Sequence, residues 1–157
     1  MSNETENNYV TLTAKSVCVV LAVLLLLMIG GGFNTFYFDI LFGISDKYGF
    51  FYLWGVMIWV TTLLIGIPFG MMIIHGLKFL NPINVLNATV QLTIATAYGV
   101  IETDIFNPIW LLALCTPIAS LYLLHTSSYK NFVEFYYVLQ SNRRQERRRL
   151  KELTKHR

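Results

Sequence analysis

The sequence predicts an all-α integral membrane protein: a four-helix transmembrane bundle followed by a C-terminal amphipathic, basic cytoplasmic helix. Of the 157 residues, 55% are hydrophobic and 13% are charged, and the mean hydropathy is +0.52. Soluble domains carry about a quarter charged residues, so this composition is typical of a membrane protein. The apolar residues also gather into four stretches between polar turns, and the basic residues gather in the C-terminal tail.

Residues 1–15 are polar and slightly acidic, and we expect a cytoplasmic N-terminal arm without regular structure. The first predicted span covers 16–32, where a run rich in Val and Leu ends in Gly30, Gly31 and Gly32. Small residues after an apolar core also fit a secretory signal peptide. Because the preceding arm is acidic and not basic, we favour a span that is retained.

An aromatic segment at 33–50 joins the first two spans, and we predict an outer loop that lies in the headgroup layer. Its aromatic side chains have two interpretations. They could form a simple belt at the membrane interface. Alternatively, Phe36, Tyr37, Phe38 and Asp39 could form a surface that recognises another membrane protein.

The second predicted span, 51–77, belongs to the longest uncharged stretch, so we expect this helix to tilt or kink. Pro68 lies in its second half and removes one backbone donor. Gly66 and Gly70 are four residues apart, a spacing that lets a neighbouring helix approach closely. We therefore interpret the glycine pair as a packing feature in preference to a gating hinge.

The third predicted span, 84–102, is polar along one side. Residues at steps of three and four share one face of a helix: Asn84, Asn87, Gln91, Ala95, Tyr98 and Glu102. An amide without a partner is costly in hydrocarbon, so this stripe must face protein or a wet cavity. We predict a binding stripe made of Asn87, Gln91, Tyr98 and Glu102, on a central helix that the other spans surround.

The fourth predicted span covers 109–125, so the four spans and their connections occupy 16–126. The remaining segment, 127–157, starts with an apolar face that includes Phe132 and Tyr136. We predict a juxtamembrane amphipathic helix that continues out of the fourth span and becomes wholly polar toward its end.

The charge of the tail predicts contact with anionic lipid headgroups. Eight of the twelve Lys and Arg residues lie in 143–157, which gives this tail a net charge of about +6 and the rest about −3. Arginines next to a membrane attract anionic lipids. The arginines concerned are Arg143, Arg144, Arg147, Arg148 and Arg149. No aromatic residue follows Tyr137, so we predict no binding of nucleic acid.

The basic residues also predict the orientation. With four spans, Lys15, Lys78, Lys130 and the tail share one side of the membrane, and Lys47 alone lies opposite. An excess of Lys and Arg marks the cytoplasmic side. We therefore expect a bacterial inner (plasma) membrane protein with cytoplasmic N- and C-termini.

No catalytic motif is present in the sequence. It contains no phosphate-binding loop, HExxH, CxxC or GxSxG pattern, and the polar segments are too short for a separate domain. His75 and His125 lack a nearby third ligand for a metal. We predict that the chain is not an enzyme, has no catalytic residue, and uses no metal or cofactor. Glu102, at the end of its span, is either a solvated turn residue or an ion-binding carboxylate.

Two functional hypotheses follow from the sequence. The first is a non-enzymatic protein that contacts another membrane protein, or a second copy of itself, within the bilayer. Phage or plasmid exclusion and immunity proteins, including those of superinfection exclusion, and accessory subunits belong to this class. The alternative is a small oligomeric transporter or channel, in which Gln91 and Glu102 of several copies line a polar path along the third helix.

Overall fold

The computed structural model describes residues 11–101 and 107–155, and all regular structure in these two ranges is helical. The all-helical prediction is therefore confirmed for this part of the chain. The α-helices are α1 (Ala14–Phe42), α2 (Ile44–Tyr48), α3 (Phe50–His75), α4 (Asn81–Ile101), α5 (Pro108–His125) and α6 (Ser127–Lys155), with a 3₁₀ turn at Lys78–Leu80.

Three of these helices, α1, α3 and α5, are long and apolar enough to cross a membrane. The prediction of a membrane protein with transmembrane helices is confirmed to that extent. Helix α4 has 21 residues and no charged side chain, so its length would suffice. Its amide and hydroxyl side chains lower its hydropathy, which is why it is not among the three. A fourth span remains a prediction.

Helix α1 is longer than the span predicted at 16–32. It begins after Thr13, whose Oγ1 accepts a hydrogen bond from the Ser16 backbone N–H at 3.2 Å. It ends at Phe42, before Gly43 with a φ of 58°. The predicted loop at 33–50 is therefore helical through Phe42 and again in α2. Glycine costs a helix only about 1 kcal/mol per residue, and this loss is offset where other helices pack closely against it.

Helices α1 and α4 run in one direction, and α3 and α5 run in the other. Two adjacent glycines of α1 set this packing. A methyl group at Gly30 would collide with the Gln91 side chain of α4 and press on Thr116 of α5, and one at Gly31 would collide with Thr61 of α3. The glycines that resemble the end of a span are thus the contact points of α1 with three other helices.

The largest apolar core lies at the end where α1 begins and α3 ends, which we call the basal end; the opposite end is the distal end. Val23 and Leu27 of α1, Met72 of α3 and Tyr129 of α6 are all fully buried there. Toward the distal end, a crevice lies between α3 and α1. In the described ranges, α3 packs on α1, α4 and α6 and does not contact α5.

The sequence suggested that the last helix continues out of the fourth span. In the structure, a turn at Thr126 separates α6 from α5. The backbone of Thr126 is extended, and its Oγ1 accepts a hydrogen bond from the Tyr129 backbone N–H at 3.4 Å. The turn lets Phe132 and Val133 pack into the basal core between α1 and α3. The apolar face predicted to lie on lipid is therefore partly used inside the chain.

The contact between Gly30 and Gln91 predicts a difference between two alanine substitutions. Gly30→Ala should lower the free energy of unfolding by about 1–3 kcal/mol, because the methyl group displaces a buried, hydrogen-bonded amide. Gly32→Ala is the matched control, since its methyl group would meet no atom within 4 Å. Denaturant unfolding in detergent micelles measures both, and equal effects would contradict the packing described here.

Candidate functional site

The predicted polar stripe of α4 faces protein along most of its length. The buried residues of α4 are Asn84, Ala88, Gln91 and Ala95, with exposed fractions from 0% to 4%. Asn87 and Tyr98 are half-buried at the edge of this stripe. Glu102, the remaining member of the predicted binding stripe, lies outside the described residues. The buried amides are thus packed against neighbouring helices, which can supply the partners that an amide away from water requires.

Gln91 links α4 to the backbone of α1. Its Nε2 donates to the carbonyl oxygen of Leu27 at 3.0 Å and to Asn87 Oδ1 at 3.3 Å. Its Oε1 lies against Gly30 and has no hydrogen-bond partner within the described part of the chain. An amide that reaches a helix backbone requires a gap in that helix's side chains, and Gly30 provides the gap.

Asn84 links α4 to α6. Its Nδ2 donates to the hydroxyl of Tyr129 at 3.3 Å, and both side chains are fully buried. Burial raises the pKa of Tyr129 to about 12, and the hydrogen bond from Asn84 opposes this shift. The hydroxyl therefore stays protonated and neutral near pH 7. The ring of Phe69 meets Tyr129 edge-on, with the ring centroids 6.4 Å apart.

The predicted partner surface around Phe36 is not a single surface. Phe36 is 46% exposed, whereas Tyr37 is 2% exposed and stacks on Tyr98 of α4 with ring centroids 4.1 Å apart. Phe38 packs on Phe42, and Asp39 Oδ1 accepts a hydrogen bond from the Ser45 backbone N–H at 2.7 Å. The prediction was made for a loop. On a helix, adjacent residues point about 100° apart, so only some of these side chains face outward.

A crevice with mostly apolar walls and a few polar side chains lies between α1, α3 and α4 in the distal half, with a volume of about 200 Å³. We define it by its polar lining residues, Asn34, Thr35, Thr61, Asn87 and Gln91. The Nδ2 atom of Asn87 has no partner among the described residues. The crevice therefore offers hydrogen bonds to a small polar group or water.

The opposite side of α4 carries exposed threonines that are internally satisfied. Thr89, Thr93 and Thr96 each donate to the carbonyl oxygen four residues earlier, at 2.8–2.9 Å. Hydroxyls bonded in this way need no polar neighbour and tolerate an apolar surrounding. The exposed side of α4 therefore offers a surface on which another helix or lipid could pack. Within 11–101 and 107–155, no group of three potential metal ligands is present.

Three of the five predicted lipid-binding arginines line a cleft at the basal end, and the other two do not. The carbonyl oxygens at the end of α3 accept hydrogen bonds from α6: Ile73 O from Gln140 Nε2 at 3.1 Å, and His75 O from Arg144. All five arginines are exposed, but only Arg143, Arg144 and Arg147 line the cleft beside these carbonyls, and Arg148 and Arg149 do not. The five predicted residues thus do not form one equivalent set.

Sequence reasoning missed several residues that the structure brings to these sites, among them Thr35, which also lines the crevice. Asn34 and Thr61 line the crevice, and Tyr129 bonds to Asn84. Asn34 and Thr61 are polar residues in largely apolar helices, which was a usable signal. Tyr129 gave no such signal, because tyrosine is common at membrane interfaces. Comparison of the chain with protein-family models, with curated proteins and with solved structures gave no match.

The bond between Asn84 and Tyr129 predicts an energetic coupling. In a double-mutant cycle with Asn84→Ala and Tyr129→Phe, we expect a coupling of about 0.6–1.7 kcal/mol, the range for hydrogen bonds in membrane proteins. Reversible unfolding in mixed micelles measures each variant. Thr93→Ala with Tyr129→Phe is the control pair, since Thr93 bonds only to its own helix. A cycle that closes to zero would show that this contact does not hold α6 to α4.

Proposed function

We propose that the chain is a four-span protein of a bacterial inner membrane, with both termini in the cytoplasm. The enclosure of the α4 amides by other helices supports a fourth span, since this arrangement makes a polar helix tolerable in hydrocarbon. Lys15 and Lys78 lie at the basal end with the arginines of α6, whereas Asp39 and Asp46 lie at the distal end. This asymmetry supports a cytoplasmic basal end.

Single-cysteine labelling tests this orientation. In a background without the free thiols Cys18 and Cys115, we expect Asp46→Cys in α2 to react with an impermeant maleimide in intact cells. Asn142→Cys, at an exposed position of α6, should react only after permeabilisation. Labelling of both positions from the same side would refute the four-span arrangement.

Within the membrane, we propose that the protein acts by binding one transmembrane helix of another membrane protein. The observation that carries this proposal is an unoccupied face of α3. We call it the α3 stripe, and it consists of Gly55, Trp59, Thr62, Gly66 and Gly70. A methyl group added at any of the three glycines would meet no atom within 4 Å, and Trp59 is 70% exposed.

Small residues on a lipid-facing helix favour such a partner. Hydrophobic burial adds little between helices in lipid, so association depends on close backbone approach and van der Waals contact. Gly30 and Gly31 of α1 are occupied by contacts within the chain, whereas the α3 glycines have none. A partner helix on the α3 stripe would use the space that the fold leaves open. Thr62, exposed beside Gly66, adds a hydroxyl to this surface.

This mode of action supports the class of small exclusion and immunity proteins or accessory subunits. A protein that blocks phage DNA entry or an incoming plasmid needs to occupy a host membrane protein and needs no chemistry of its own. The described residues offer packing surfaces and hydrogen-bonding groups to such a partner. Exposed Phe36 at the distal half would extend the contact beyond α3.

The alternative proposal is a transporter or channel, and the polar side chains in the crevice between α1, α3 and α4 favour it. Asn34, Asn87 and Gln91 converge there from α1 and α4, and the Nδ2 atom of Asn87 lacks a partner in the described ranges. Because Asn84 and Gln91 turn toward α6 and α1 of their own chain, a path would run inside one copy along this crevice. Asn87→Leu should then abolish transport and leave the α3 stripe intact.

The double variant Gly55→Leu/Gly66→Leu separates the two proposals. We expect it to fold like the parent, because a Cβ at either position meets no atom within 4 Å, and to lose the partner contact. The readouts are photo-crosslinking from an analogue at Thr62 and, in a bacterial host, exclusion of phage DNA or of an incoming plasmid.

Ala97→Leu adds the same kind of bulk on the exposed side of α4 and should change neither readout. A crosslinked product of twice the chain mass would identify the partner as a second copy. Unchanged crosslinking and exclusion in the double variant, with loss in Asn87→Leu, would favour transport.

A further inference from the structure

The basal end contains a cleft between the end of α3 and α6 that has a graded lining. Its volume is about 670 Å³. Ile74 and Leu139 line the part nearer the apolar core, and Arg143, Arg144 and Arg147 line the part farther along α6. The order follows from the packing, since α6 runs alongside the last turn of α3 in the same direction, from Gln140 at Ile73 to Arg144 at His75.

The arginines of this cleft differ in what they already bind. Arg144 donates to the carbonyl oxygen of His75 and so neutralises the end of α3, where unpaired carbonyls carry partial negative charge. Arg143 and Arg147 have no hydrogen bond or ion pair in the described part of the chain. They lie four residues apart on a helix, so their side chains are neighbours.

No carboxylate competes for these two arginines within the cleft. Its lining includes no Asp or Glu. Glu134, on the same helix, pairs with Lys78 at 3.4 Å, and Lys78 also lies 4.0 Å from the ring centroid of Tyr137. Two guanidinium groups without partners among the residues described suit the phosphate of a phospholipid. The apolar side chains of Ile74 and Leu139 beside them suit its glycerol and the start of an acyl chain.

We propose that this basal cleft holds one anionic phospholipid, with its phosphate between Arg143 and Arg147 and its glycerol and upper acyl chain on Ile74 and Leu139. The inference rests on the membrane placement proposed above and does not depend on the partner of α3. Free phosphate shares the arginine chemistry, but it would leave the apolar part of the cleft unused. A bound lipid would also fix α6 against α3 at the membrane surface.

This proposal differs from general attraction between a basic tail and an anionic membrane. General attraction depends on the number of charges, so all five arginines would contribute alike. A cleft depends on position, so Arg143 and Arg147 would contribute and Arg148 and Arg149 would not. Two double variants that remove the same charge therefore distinguish the two cases.

The test uses the full chain, purified in detergent and titrated with phosphatidylglycerol, with bound lipid counted by native mass spectrometry. Arg143→Gln/Arg147→Gln should weaken retention of the first lipid by about tenfold or more, the effect of losing a charge-assisted hydrogen bond. Arg148→Gln/Arg149→Gln should change it by less than about twofold, since neither arginine lines the cleft. Phosphatidylcholine is the lipid control and should be retained weakly by all three proteins.

Each outcome decides the question. Equal losses in the two double variants would overturn the cleft in favour of diffuse attraction. Displacement of phosphatidylglycerol by an equal concentration of inorganic phosphate would overturn the lipid in favour of a phosphate site. If the first double variant does not fold, Arg143→Gln against Arg149→Gln gives the same comparison. If the cysteine-labelling experiment shows that the chain does not insert into the membrane, the proposed membrane placement is wrong, whatever the lipid titration shows.

Discussion

The cost of an unpaired amide away from water is the constraint on which the rest of this structure depends. Helix α4 carries Asn84, Asn87 and Gln91, and no stable arrangement leaves these groups in hydrocarbon. The fold meets part of this requirement with partners from elsewhere in the chain, while one buried atom of each amide has no partner among the described residues. Gln91 reaches the backbone of α1 at Leu27, and Asn84 reaches the Tyr129 hydroxyl of α6. The positions of α1 and α6 follow from these bonds.

Helix α1 packs closely on its neighbours near Gly30, whereas crevices remain beside α3. Gly30 leaves space for the Gln91 side chain and Gly31 leaves space for Thr61. Helix α1 therefore packs closely on α3, α4 and α5 within a single turn. At the basal end, α6 fills the angle between α1 and α3 with Phe132 and Val133. Among the residues that the structure describes, nothing comparable fills the distal half, where the crevices beside α3 remain. The partial separation of α3 is therefore a consequence of how the polar helix is enclosed.

The proposed functions use these remaining surfaces. Helix α3 presents glycines without neighbours toward the membrane, and the basal cleft presents arginines without neighbours toward its surface. Both are places where groups capable of close contact have no partner in the described chain. The polar groups that would be costly in lipid are largely turned inward, so an apolar partner helix meets an apolar face. Binding then requires little rearrangement of the fold.

The sequence by itself determined the helical class, the membrane-spanning character of three helices, and the face of α4 that is buried. These features depend on composition and on helical periodicity, which are local properties of the chain. Gly76 and Pro108 are local stop and start signals for helices, and α3 ends at His75 while α5 begins at Pro108.

Only the tertiary structure decided which partners those residues meet. The three glycines of α1 resemble a helix end in sequence, and Tyr37 resembles an interface aromatic. Gly30 and Gly31 prove to be packing points, whereas Gly32 faces open space, and Tyr37 is a buried ring stacked on Tyr98. The turn at Thr126, which brings Tyr129 to Asn84, likewise depends on contacts between residues 45 positions apart. Contacts over such distances depend on shape complementarity between helices, which no pattern within one helix contains.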